Sequence, residues 1–183
     1  MPEFIGGLPV HPMIIHFVVV LLLIAVLGAV LTAVWPAVRR RYGWLAFAAA
    51  LVGTLLVPVA TDSGENLASR LPANDLITAH QRLGDMMIWW AVGLTVALGA
   101  LMVVHTMSAR KAPAKVAVGA AGAEQEEPIQ ETKPQASALV LTIVLAVVTV
   151  GAAVGTGIHV YRVGDAGARA VWEGVKDLPV QNG

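Results

Sequence analysis

Four apolar runs, separated by polar segments, organise this chain. The first opens after LPVHP and predicts a helix over 13–35, with Pro12 suited to its first turn and Pro36 and Arg39-Arg40-Arg41 closing it. The second predicts a helix over 43–60, with Pro58 near its end. The stretch 61–84 (TDSGENLASRLPANDLITAHQRLG) is polar and is broken by Pro72. Asn74 or Asp75 then caps a helix over 75–105, whose apolar part is 86–104. The fourth run predicts a helix over 138–158. Each run approaches the roughly 20 apolar residues that a helix needs to cross a hydrocarbon core of about 30 Å. The expected fold is therefore an all-α, integral-membrane four-helix bundle.

The connections differ in kind. Residues 106–136 are rich in Ala, Gly, Pro, Glu, Gln and Lys and hold too little apolar bulk to fold, so a disordered linker is expected there. A membrane domain over 5–173 that contains this linker is expected, followed by a tail over 174–183. No internal repeat and no coiled-coil heptads are expected.

Composition agrees with this pattern. Of 183 residues, 57% are hydrophobic and only 13% charged, with a mean hydropathy of +0.73; soluble domains carry roughly 25% charged residues. A net charge of +0 gives no field that would attract nucleic acid. The absence of cysteine excludes disulfides, thiolate metal sites and thiol nucleophiles. The first run lacks a basic segment before it and a small-residue cleavage site after it, so it reads as a retained span rather than a signal peptide. Arg39, Arg40, Arg41, Arg110, Lys111, Lys115 and Lys133 fall on one side of the membrane, and Arg70, Arg82, Arg162, Arg169 and Lys176 on the other. The triple arginine beside a span end weighs most, so both termini are expected outside and the linker in the cytoplasm, in a multi-pass protein of a bacterial plasma membrane.

That topology gathers polar groups at one end. His11, His16, His80 and His159 all fall on the outer side, with Asp62 and Glu65; His105 stands alone at the inner end. His16 lies about a turn inside the first helix, between Ile15 and Phe17. It is expected to face the bundle and to pair with Asp62, Glu65 or His80, because an unpaired polar group in hydrocarbon is costly. Gly151 and Gly155 form a GxxxG spacing that lets helices pack closely, or leaves room for a flat cofactor beside His159.

LPVHPMIIHF at the first span, TDSGENL after the second, AHQRLGD before the third and VYRVGDAGARAVW after the fourth follow a familiar order. Together they resemble the bacterial four-helix membrane proteins of domain-of-unknown-function family 2231, over about residues 5–173 apart from the linker. The resemblance implies a four-helix integral membrane protein and places His11, His16 and His80 at histidines of the family pattern. It implies no activity. His159 departs from the pattern, as do VVVLL after His16, where a Pro-Ile pair is expected, and Gln81, where glutamate is common.

Three functions fit these residues. One is a non-enzymatic structural, interaction or accessory membrane subunit, with other membrane subunits or further copies of itself as partners besides the lipid bilayer. Its histidines would hold the helix ends together. Another is a haem b electron-transfer protein ligated by His16 with His80 or His159, near His11. The third is a divalent metal site of His11, His16 and His80 with Asp62 or Glu65. Transport lacks the paired repeats and broken helices of carriers. Hydrolysis is disfavoured: Asp62, Ser63 and His80 have the residue types of a triad without a nucleophile elbow, and HPMIIH is not HExxH.

Overall fold

The computed structural model describes residues 4–72, 74–111 and 134–178. A short hairpin, β1 (Phe4–Ile5) and β2 (Leu8–Pro9), precedes four helices: α1 (Val10–Val34), α2 (Pro36–Ala68), α3 (Asp75–Lys111) and α4 (Pro134–Trp172). A 3-10 turn, Glu173–Asp177, follows α4. All four helices are long and apolar enough to cross a membrane, so the fold is the expected all-α membrane bundle. The hairpin turns at Gly6 and Gly7, whose φ values of 60° and 83° are those of a two-residue turn closed by glycines.

The helices α2, α3 and α4 outrun their apolar runs at both ends, because hydropathy reports where lipid ends rather than where the helix ends. Helix α1 starts earlier than expected, at Val10, but stops at Val34, one residue short of the expected Trp35. Past Ala60, α2 continues to Ala68, with the Ser63 hydroxyl bonded to the Ala60 carbonyl (2.8 Å) and Asn66 Nδ2 to the Asp62 carbonyl (2.8 Å). Beyond Ile158, α4 runs on to Trp172. Residues 106–111 and 134–136, expected in the linker, are helical, and the rest of that linker lies outside the described residues, as do residues 179–183 of the tail. Asn74 is the cap of α3: its Oδ1 accepts the Leu76 N–H at 2.8 Å.

Between α1 and α2 only Trp35 is non-helical, in the extended conformation that a residue before proline favours. The turn strands carbonyls at the end of α1, and Arg39 reaches back to them. Its Nε donates to Thr32 O (2.9 Å) and its Nη2 to Ala33 O (2.6 Å), and the side chain is buried. Read from sequence as an orienting charge, Arg39 is also a helix cap. Arg40 and Arg41 are exposed.

The helices pack in a ring, α1 on α2 and α3 on α4 most extensively, then α2 on α3 and α1 on α4. Small residues set the spacing: a Cβ on Gly28 would stand 2.7 Å from Ala46 Cβ, and one on Gly53 3.0 Å from Leu22. Hydroxyl groups also link helices across the interior. The Thr95 and Thr54 hydroxyls lie 2.8 Å apart, with Thr54 donating to Ala50 O, and Thr156 donates to Trp90 O at 3.1 Å.

Contrary to expectation, the bundle contains a repeat. A shift of 69 residues carries His11, Val18, Leu22, Ala25, Ala29 and Ala33 of α1 onto His80, Met87, Ala91, Leu94, Leu98 and Met102 of α3. Every pair after the histidines is buried on both sides. A shift of 103 carries Ala46, Ala50, Gly53 and Val57 of α2 onto Thr149, Ala153, Thr156 and Val160 of α4, all buried. The α1–α2 and α3–α4 hairpins thus share one spacing of these buried positions. Both hairpins start from the same end of the bundle, so α1 runs parallel to α3 and α2 to α4. Side-chain size is exchanged between copies: Ala25 and Ala29 share one core cluster with Leu94 and Leu98, their bulkier counterparts.

Candidate functional site

At the histidine end, the two hairpins carry the same device. His11 Nδ1 lies 3.1 Å from Ala60 O and 3.0 Å from Ser63 Oγ on α2. A carbonyl only accepts, so Nδ1 carries the proton and shares it between these oxygens. The imidazole fits because residue 64 is glycine: a Cβ there would stand 2.8 Å from His11 Cε1. In the second hairpin, His80 Nδ1 donates to Val163 O of α4 at 3.0 Å, and a Cβ on Gly167 would stand 3.0 Å from His80 Cε1. Each accepting carbonyl belongs to the residue four before the glycine, and the glycines close matching Asp62-Ser63-Gly64 and Asp165-Ala166-Gly167 triplets. His11 and His80 lie within Coulombic range of one another.

His159 has no such counterpart. It is 3% exposed, donates from Nε2 to Leu83 O at 2.8 Å, and stacks on the Trp90 indole with ring centres 5.8 Å apart and planes at 25°. The repeat places Leu56 and Leu21 where His159 and Trp90 stand. One hairpin therefore replaces an apolar pair by a stacked polar one. Gly155 makes the space, since a Cβ there would overlap the Trp90 ring. The gap read as room for a flat cofactor is filled by the protein's own indole, while Gly151 faces open space.

The roles expected of the two N-terminal histidines are exchanged. His16 is exposed, and its Nδ1 bonds the Pro12 carbonyl of its own turn. Five residues at about 100° each set it about 140° around α1 from His11, so the two cannot both meet α2. Depth suggested His16, but direction selects His11. Asp62 and Glu65 are exposed and make no hydrogen bond or ion pair with His16 or His80. Among the described residues, no three His, Asp or Glu groups converge as a metal would require. Nor does a triad assemble. Ser63 meets His11 rather than His80, and its hydroxyl proton goes to Ala60 O, while His11 offers it a proton and not a lone pair. His105 stands at the opposite end, within Coulombic range of Arg39 and Arg40.

The inward direction of His11 and His80 has a signal in the sequence. Steps of seven from His11 give Val18, Ala25 and Thr32, and from His80 give Met87, Leu94 and Leu101. All six are buried. Both histidines thus head the seam that faces the bundle, while steps from His16 lead to the exposed Leu23.

Neither a curated protein nor a solved structure matches the chain. The model of the family described as "Predicted membrane protein (DUF2231)" matches residues 7–176, which include all four spans and both histidine docks, and the chain belongs to that family.

Proposed function

We propose that the protein is a non-enzymatic structural or accessory subunit of a bacterial plasma membrane, built to present a rigid histidine end to other membrane subunits or to further copies of itself. The observation that carries this reading is the twin dock: His11 and His80 each give a ring proton to a main-chain carbonyl of the neighbouring helix. An imidazole held against a helix by a glycine acts as a fastener between spans. Replacing His11 and His80 together by alanine is expected to cost about 2–3 kcal/mol, near 1 kcal/mol per lost bond plus the contacts of each ring. Unfolding of the purified protein in mixed micelles measures this, and a double variant as stable as the parent would refute the role. A visible absorption spectrum in the same preparation separates it from haem-linked electron transfer. A reduced-minus-oxidised α band lost on His80→Ala would favour the redox reading. Elemental analysis does the same for a divalent ion.

The orientation is part of the proposal. Arg39, Arg40 and Arg41 beside the α1–α2 turn favour that end in the cytoplasm, with both termini outside. Alkaline phosphatase fused after Gly183 should therefore be active, and an inactive fusion in well-expressed protein would reverse the assignment.

A further inference from the structure

The repeat is broken on the surface as well as in the core. Between α3 and α4 at the histidine end lies an open cleft of ≈ 200 Å³. Leu76, Ala79 and Leu83 of α3 and Ala166 of α4 give it apolar walls, and Tyr161, Arg162, Asp165 and Arg169 stand along its α4 side. In the first hairpin the positions of Arg162 and Arg169 are Val59 and Asn66. The second hairpin alone has two guanidinium groups beside an apolar groove.

Depth and charge define what fits. Asp85 and the equivalent His16 are exposed and charged or polar, and so mark the edge of the hydrocarbon. Arg162 stands at the level of His80, whose ring bonds the adjacent Val163 carbonyl. That level is five residues beyond Asp85, about 7.5 Å at the helical rise. The headgroup layer adds roughly 5–8 Å to each side of the hydrocarbon, so Arg162 lies at headgroup depth. Arg169 is already engaged: its Nε meets Asp165 Oδ2 at 2.9 Å. Arg162 has no ion pair or hydrogen bond within the described residues. Tyr161 beside it is 73% exposed, with its ring where membrane interfaces favour aromatic groups.

We infer that this cleft binds the headgroup of one anionic phospholipid of the phosphatidylglycerol class, with Arg162 on the phosphate. A guanidinium presents paired donors that match two phosphate oxygens. The Asp165 carboxylate accepts from the headgroup hydroxyls, and the apolar walls cover the glycerol carbons. A choline headgroup carries a cation where the cleft offers Arg169, and is disfavoured. Because Val59 and Asn66 replace the arginines in the other hairpin, the stoichiometry is one lipid per chain.

The full-length protein in neutral detergent, titrated with phosphatidylglycerol or with phosphatidylcholine of the same chains, tests this by native mass spectrometry. The expected result is one retained phosphatidylglycerol per chain, at least fivefold weaker retention in Arg162→Ala, and intermediate retention in Arg162→Lys. Arg162 is exposed and has no partner among the described residues, so its variants should unfold at the same point as the parent without lipid. Equal retention of the two lipids, two phosphatidylglycerols per chain, or an Arg162→Ala variant that binds like the parent would each overturn the site. Displacement of the lipid by glycerol 3-phosphate at equal concentration would overturn the lipid assignment in favour of a soluble anion.

Discussion

Arg39→Ala should destabilise the protein by about 2–4 kcal/mol, whereas Arg40→Ala and Arg41→Ala stay within about 0.5 kcal/mol of the parent. The three arginines are neighbours in sequence, yet only Arg39 is buried, and only it bonds the Thr32 and Ala33 carbonyls. Hydrogen bonds to a charged donor contribute about 1.5–3 kcal/mol each, and water at the bundle end recovers part of that when the guanidinium is removed. Urea or SDS unfolding in micelles, compared across the three alanine variants, is the measurement. If Arg39→Ala resembled Arg40→Ala, the cap would contribute nothing, and the arginine cluster would be only an orienting charge. Arg39→Lys should recover little, because one ammonium cannot reproduce donors from both Nε and Nη2.

Gly155→Val is expected to be the most damaging change in α4, at about 2–4 kcal/mol, while Gly151→Val is tolerated. The two glycines form one GxxxG spacing in the sequence, but the structure separates them. A Cβ at Gly155 overlaps the Trp90 ring, and a Cβ at Gly151 meets nothing within 4 Å. Overpacking at Gly155 also pushes Trp90 away from His159, whose ring it covers. The Trp90→Leu variant combined with Gly155→Val should regain a substantial part of the loss, since the smaller side chain vacates the overlap. A double-mutant cycle over these two positions measures the coupling. Additive effects would mean that Gly155 serves some contact other than Trp90. Tryptophan fluorescence offers a second readout, because the indole loses its stacking on the His159 ring when displaced.

These expectations show what the sequence makes legible. The four spans are plain in it because lipid demands long apolar stretches. The cap of α3 is narrowed to Asn74 or Asp75 because short polar side chains before a helix favour that use, and the structure selects Asn74. The facing of the helices is hidden. In α1 nearly every residue from Met13 to Val34 is apolar, so hydrophobicity carries no period, and the seam is marked only by size at Ala25, Ala29 and Ala33. Depth therefore points to His16 as the inward histidine, whereas the seven-residue step from His11 marks the seam that faces the bundle. The repeat is hidden for a related reason. Burial is kept between copies while identity is not, and Ala25 against Leu94 or Gly53 against Thr156 give no likeness in letters. The carbonyl bonds of His11, His80 and His159 could not be read at all, because a main-chain acceptor on another helix leaves no mark on side-chain spacing.

The parallel repeat also bears on how the chain enters the membrane. Two hairpins with the same direction must each be inserted with the same end retained, and each has its own charges to secure this. Arg39, Arg40 and Arg41 follow the first descending span, and Arg110 and Lys111 follow the second. With that end in the cytoplasm, as proposed above, the retention signal is present in both hairpins. Loss of one basic cluster leaves the other to hold its hairpin, and the packing of one hairpin on the other favours the partner that agrees in direction. On that reading, orientation is a joint decision of two similar halves.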